Sequence, residues 1–242
     1  MLWKAEAIRG CTVNAQDEEI GKVRDLYFDD HTWTVRYLVV DVGTWFDEKP
    51  VLITPRRITR FDPEQEFIGT DLTREDVKNS PPAETDRPLS QCMDIVSYPY
   101  HFWPPEYDLE GCDTQTDVHL RSMNETEGYI VAASDGELGH AAGFFMDAAD
   151  WTVRYVEVDT RNLWPGKHVL MSTEWMEEID WSGARLVVNL DKETIKDSPE
   201  FDRHTPLTRQ YETHLCHFYN REGYWTHEPC ADDDETGGES VD

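Results

Sequence analysis

Lysine is scarce in this chain, with 7 among 242 residues, while Asp and Glu together number 50. With 22 basic residues in all, the formal net charge is -28. A polyanion approaching such a surface meets a repulsive field, so direct binding to nucleic acid or anionic lipid is not expected. A basic protein partner suits that charge. An acid-rich, lysine-poor exterior also fits a protein that works in concentrated salt, where screening shortens the range of self-repulsion.

Long apolar runs are missing too. No stretch approaches 18 apolar residues, and Met1-Leu2-Trp3-Lys4-Ala5-Glu6 enters a strand-like pattern without a signal-like apolar core. The sequence therefore predicts no membrane insertion and a soluble, cytoplasmic protein. Cysteines stand at 11, 92, 112, 216 and 230, an odd number without the dense spacing of a disulfide scaffold. A reducing compartment fits them. No Ser/His/Asp order, phosphate-cradling glycine loop or Cys/His pair is evident, so neither an enzyme nor a cofactor is expected. His214, Cys216, His217, His227 and Cys230 carry metal-ligand chemistry but match no closed zinc spacing. A helix would turn His214 and Cys216 to different faces, and no metal site is predicted.

What the chain has in quantity is aromatic side chains and a repeat. Trp 9, Tyr 10 and Phe 9 are many for so polar a protein and suit small β units. Trp33-Thr34-Val35-Arg36-Tyr37-Leu38-Val39-Val40-Asp41 returns as Trp151-Thr152-Val153-Arg154-Tyr155-Val156-Glu157-Val158-Asp159. Laying residues 10–81 over 128–199 needs no gap and gives 23 identities in 72 positions, where roughly five would arise by chance. Gly21 and Gly139 are among them, as are Trp33, Arg36, Tyr37 and Asp41 with Trp151, Arg154, Tyr155 and Asp159.

Within the first copy, Ile8 to Val13, Ile20 to Phe28 and the Trp33–Asp41 block read as strands. Val51 to Thr54, Ile58 to Phe61 and Glu66 to Gly69 add three more, and a short helix capped by Thr73 ends before Pro81. Such short strands predict a small closed antiparallel barrel. Leu207, Tyr211, Leu215 and Phe218-Tyr219 fall at helical spacing, which predicts an amphipathic helix over 206–220. Arg36 with Asp41, and Arg154 with Asp159, are expected to join turn or inter-strand hydrogen-bond networks.

The order of Gly10, Ile20-Gly21-Lys22-Val23, Val35-Arg36-Tyr37-Leu38-Val39-Val40-Asp41, Val51-Leu52-Ile53-Thr54-Pro55 and the helix running into Ser80-Pro81 resembles the PRC-barrel family. That family includes the cytoplasmic domain of the photosynthetic reaction-centre H subunit and the C-terminal domain of the ribosome-maturation factor RimM. The resemblance implies a small barrel used for docking or assembly, with no catalytic residue common to the family. The sequence shows neither the H subunit's membrane helix nor the ribosome factor's preceding domain, an expectation against membership of either assembly.

Together these readings predict an all-β chain with short helices, built as two tandem small antiparallel PRC-type barrels. The expected organisation is a first barrel over 1–81, a linker and aromatic Pro-rich segment over 82–120, and a second barrel over 121–199. An amphipathic helix with an aromatic tail over 200–231 and an acidic disordered tail over 232–242 follow. The expected state is a pseudo-dimeric monomer or a homodimer. The expected function is a non-enzymatic protein-binding or assembly module. Its alternatives are an accessory docking peripherally on a photosynthetic or other membrane electron-transfer complex, and a ribosome or RNA-processing accessory acting through a protein. The expected partner surface is aromatic: Tyr98, Tyr100, His101, Phe102, Trp103 and Tyr107 in one segment, and His217, Phe218, Tyr219, Tyr224 and Trp225 in the other. If the acidic exterior reflects work in concentrated salt, the melting temperature rises as salt is added; a fall in a thermal scan across a salt series counts against that reading.

Overall fold

The computed structural model describes residues 2–42, 50–80, 119–160, 167–180 and 182–226. The chain divides into two compact units, Met1–Pro206 and Leu207–Asp242, and each is taken by itself. In the larger unit, runs of β-branched and aromatic residues set the strands. The first half contains β1 (Leu2–Lys4), β2 (Thr12–Asn14), β3 (Glu19–Asp29), β4 (Val35–Val42), β5 (Val51–Ile53), β6 (Ile58–Asp62) and β7 (Phe67–Thr70). The second repeats the series as β8 (Leu120–Ser122), β9 (Ile130–Ala133), β10 (Gly136–Asp147), β11 (Thr152–Asp159), β12 (His168–Ser172), β13 (Met176–Asp180) and β14 (Arg185–Val188).

These strands form two sheets with the same internal order, β5-β4-β3-β2-β7-β6 and β12-β11-β10-β9-β14-β13. Both curl, giving a mostly β chain with two PRC-type barrels in tandem and few, short helices. Register shifts at Val23/Asp25 and Tyr27/Phe28 recur at Ala141/Gly143 and Phe145/Met146. A bulge increases local twist and bends its strand, so the duplicated shifts curl both sheets alike.

Each sheet then takes its seventh strand from the other half. β1 lies antiparallel along β10, with Lys4 opposite Phe145, while β8 lies along β3, with Ser122 opposite Tyr27. The one-turn helices Ala5–Ile8 and Met123–Thr126 follow these exchanged strands. Leu120 is thereby buried in a cluster with Tyr27, Val39 and Leu52 of the first half, flanked by Tyr37. The two hydrophobic cores are thus joined by backbone ladders as well as by packing.

Several details differ from the sequence expectation, among them Trp33 and Thr34, which precede β4 instead of opening it. Ile8 closes a helical turn instead of opening a strand, because the chain must leave β1 on one sheet and reach β2 on the other within a few residues. β2 pairs parallel with β7, and β9 with β14, so the sheets are not wholly antiparallel. Finally, among the described residues no ladder joins β5 to β6 or β12 to β13, so the barrels curl without closing.

In the smaller unit, Arg209–Phe218 is a helix, started by the Thr208 side chain accepting from the Tyr211 amide at 3.3 Å. It ends where Asn220 turns to φ 50° and the Arg221 amide reaches the Cys216 carbonyl at 2.9 Å. This is a C-cap in which Asn takes the place usually held by glycine.

The repeated glycines have a steric cause. A Cβ on Gly21 would lie 1.9 Å from the Asp41 carbonyl oxygen, and one on Gly139 2.1 Å from that of Asp159. The obstruction is backbone, so no side-chain rotation relieves it. Gly21→Ala and Gly139→Ala are therefore each expected to cost about 2–3 kcal/mol, read as a lower urea midpoint at unchanged slope.

Candidate functional site

The repeated Trp-Thr-Val-Arg-Tyr block begins at the seam between the halves. Asp29 accepts the His31 and Thr32 amides at 3.0 and 2.9 Å, and Asp147 accepts the Ala149 amide at 3.1 Å, tightening the turn before each block. Trp33 and Trp151 then adopt φ 57° and 60°, which a bulky residue rarely does. A left-handed residue costs roughly 1–2 kcal/mol. Here it aims two carbonyls across the seam. The Val153 amide donates to the Trp33 carbonyl and the Val35 amide to the Trp151 carbonyl, both at 2.8 Å, around a bridge between Thr34 and Thr152. Trp33 stacks on Phe28 at 5.4 Å, and Trp151 lies 6.3 Å from Phe61 of the other half.

Two buried carboxylates hold the exchanged strands. Asp25, 4% exposed, accepts the Ser122 hydroxyl at 2.5 Å and the Asn124 amide at 3.2 Å, both from the second half. Glu157, 1% exposed, meets Lys4 of the first half at 3.1 Å, His168 at 3.1 Å and Arg203 at 2.5 Å. Lys4 also sits over the Phe145 and Phe201 rings at 5.3 and 5.7 Å. Asp25 faces Val39 across its ladder, and Gly143 faces Glu157 across the equivalent one. Each junction thus has one carboxylate, carried by neighbouring strands in the two halves.

A groove of about 440 Å³ opens along one side of this seam. Asp30, His31, Thr32 and Trp33 form one wall, and Thr152, Arg154, Thr173, Glu174 and Met176 to Ile179 form the rest. Asp30 is tied to buried Arg121 at 2.6 Å and to His119 at 2.9 Å. Arg154 is bonded to Asp150. Glu174, Glu177 and Glu178 are exposed, and among the described residues none of the three carboxylates has an ion-pair partner. The groove mouth therefore carries negative charge with little local compensation.

The repeat makes this acidity informative. The positions equivalent to Glu174, Glu177 and Glu178 are Arg56, Thr59 and Arg60, and the equivalent of Asp30 is Ala148. The fold is built at both places, while the acids stand at only one. Comparing the two copies position by position would have found this contrast in the sequence. Aromatic clusters stand out by residue type and do not reveal it.

The aromatic residues singled out from sequence have different placements. Tyr98, Tyr100, His101, Phe102, Trp103 and Tyr107 lie outside the described residues, as do His227 and Cys230. In the smaller unit, His217 and Phe218 are exposed, Tyr219 and Tyr224 are buried, and Trp225 is half-buried. The Arg209 guanidinium lies over the Trp225 ring at 4.1 Å and the Tyr224 ring at 5.0 Å, a contact within the smaller unit. Cys216 is buried on the same helix, and His214 is exposed. Arg36 bonds Asp29 at 3.1 Å, and Asp41 lies 3.6 Å from Arg24, so Arg36 and Asp41 serve separate partners. Tyr155 is buried, while Tyr37 is half-buried beside the Leu120 cluster.

Residues 4–76 match the PRC-barrel domain. Over 106 residues, 43% of this chain, the sequence is 32% identical to an uncharacterized protein of Deinococcus radiodurans. The match covers 35% of that protein, so this chain corresponds to about a third of its relative's length. No helix among the described residues is long and apolar enough to cross a membrane.

The seam carboxylate Asp25 has a pH signature. Burial pushes its carboxyl above the ordinary value of 3.8, against the Ser122 hydroxyl and the Asn124 and Leu26 amides, which pull it down. The folded chain then binds this proton more tightly than the unfolded one. Asp25 favours folding below about pH 4 and withdraws stability as pH rises through its elevated folded value. Asp25→Asn lacks that titration, so urea unfolding over this window is expected to show the stability difference moving in the variant's favour as pH rises.

Proposed function

We propose that the protein is a non-enzymatic docking module that holds a basic segment of a protein partner in the acidic groove at its seam. The observation that carries this reading is the unequal repeat. Glu174, Glu177 and Glu178 stand where the other copy has Arg56, Thr59 and Arg60, so folding does not require acids there. Their exposure, without an ion-pair partner among the described residues, leaves them available to a partner, since the groove's Arg154 is engaged by Asp150. The match of residues 4–76 to the PRC-barrel domain supports a small-module role. The net charge of -28 favours cationic partners and speeds their encounter, with an affinity that falls as salt rises.

A lysine- and arginine-rich peptide followed by fluorescence anisotropy tests the reading. The triple variant Glu174→Gln/Glu177→Gln/Glu178→Gln is expected to bind about tenfold more weakly, since three rim charges contribute roughly 0.5 kcal/mol each. Glu64→Gln/Glu75→Gln/Glu193→Gln removes the same charge from exposed sites elsewhere and should change affinity by less than about twofold. Equal losses in the two triples would show that net charge, and not the groove, attracts the peptide.

A further inference from the structure

Residues 118 apart in sequence are equivalent in the two halves, and some of them meet. Arg9 is the counterpart of Glu127, and the two side chains form a bidentate ion pair, one contact being Arg9 Nη1 to Glu127 Oε2 at 3.0 Å. Thr34 and Thr152, also counterparts, bridge each other. In an association of two identical halves, a residue at such a position faces its own copy. Two first halves would set Arg9 against Arg9, and two second halves would set Glu127 against Glu127.

The exchanged strands add a second constraint. Lys4 is the counterpart of Ser122, and each faces a different junction: Lys4 meets Glu157, and Ser122 donates to Asp25. Pairing two second halves would place Ser122 beside buried Glu157 and remove its lysine, leaving it with His168 and Arg203. Pairing two first halves would bring Lys4 to Asp25, a tolerable contact, and would put Glu6 where Asn124 now meets Arg9, which eases the repulsion there. The bar is therefore higher against two second halves.

We propose that the seam is a heterotypic recognition interface, which accepts one half of each kind and disfavours two like halves, through the Arg9–Glu127 pair in both cases and through the Lys4–Glu157 pair against two second halves. Both strand exchanges are backbone ladders of the same register and do not themselves distinguish the halves. The distinction rests on side chains. The kind of partner each half fits is the other half, whatever else docks on the assembled chain.

Charge variants of the full chain reproduce the forbidden junctions. Arg9→Glu creates the Glu/Glu contact of two second halves, and Glu127→Arg creates the Arg/Arg contact of two first halves. Each is expected to lower the melting temperature by roughly 3–6 °C, and the neutral replacements Arg9→Gln and Glu127→Gln by about 1–3 °C. The double variant Arg9→Glu/Glu127→Arg restores the pair with its direction reversed and should melt within about 1 °C of the parent. Should a reversal prove too unstable to purify, the neutral variants and the double variant still decide the matter. The proposal is overturned if the reversals melt no lower than the neutral replacements, if the neutral replacements melt with the parent, or if the double variant fails to recover.

Discussion

Neither half of the larger unit owns a complete sheet. The exchange of β1 and β8 is the constraint on which the remaining features depend, because an inserted three-residue strand must be satisfied along its backbone and held by what surrounds it. The buried polar groups collect where that need is greatest. Asp25 takes an amide and a hydroxyl from the incoming segment, and Glu157 takes its lysine. Buried charges are costly unless paired, so these junctions tie order in one half to order in the other.

The same constraint explains the backbone at Trp33 and Trp151. Both residues accept an unfavourable conformation, and both are 8% exposed, so apolar burial of a large ring offsets the strain. The benefit is directional: their carbonyls are delivered to the opposite half at the point where equivalent residues meet. The groove is a by-product of this geometry on one side. Phe61 lies beside Trp151 and, from the other direction, Trp3. At the equivalent position on the other side the smaller Ile179 stands with Trp33 in the groove lining, leaving open space.

Much of this was legible in the sequence. The gapless alignment of the copies located β3, β4, β10 and β11, because long runs of β-branched and aromatic residues recur at both places, although it started β4 two residues early, at Trp33, where the backbone is left-handed. Trp33 and Gly21 announced themselves through identity. The exchange did not, since three residues such as Leu2–Lys4 or Leu120–Ser122 contain too little period to say which sheet they join. The parallel pairing of β2 with β7 was hidden for the same reason. At the site, aromatic residues attracted notice by type, yet Tyr224 and Trp225 pack with Arg209 of their own unit. The acids of the groove looked ordinary among the chain's 50 acidic residues and stood out only when set beside Arg56, Thr59 and Arg60.

The exchange of first strands also bears on how the chain is made. A ribosome delivers residues in order, and the first half cannot receive its seventh strand until Ser122 has been synthesised. The second must keep Leu2–Lys4 waiting until Asp147 arrives. Contacts of such sequence separation are slow to form, because the loop entropy is lost before the ladder stabilises them. During translation the nascent first sheet therefore presents the edge of β3 to its surroundings, and the acidic composition of the chain supplies repulsion against pairing with a neighbouring copy in that interval.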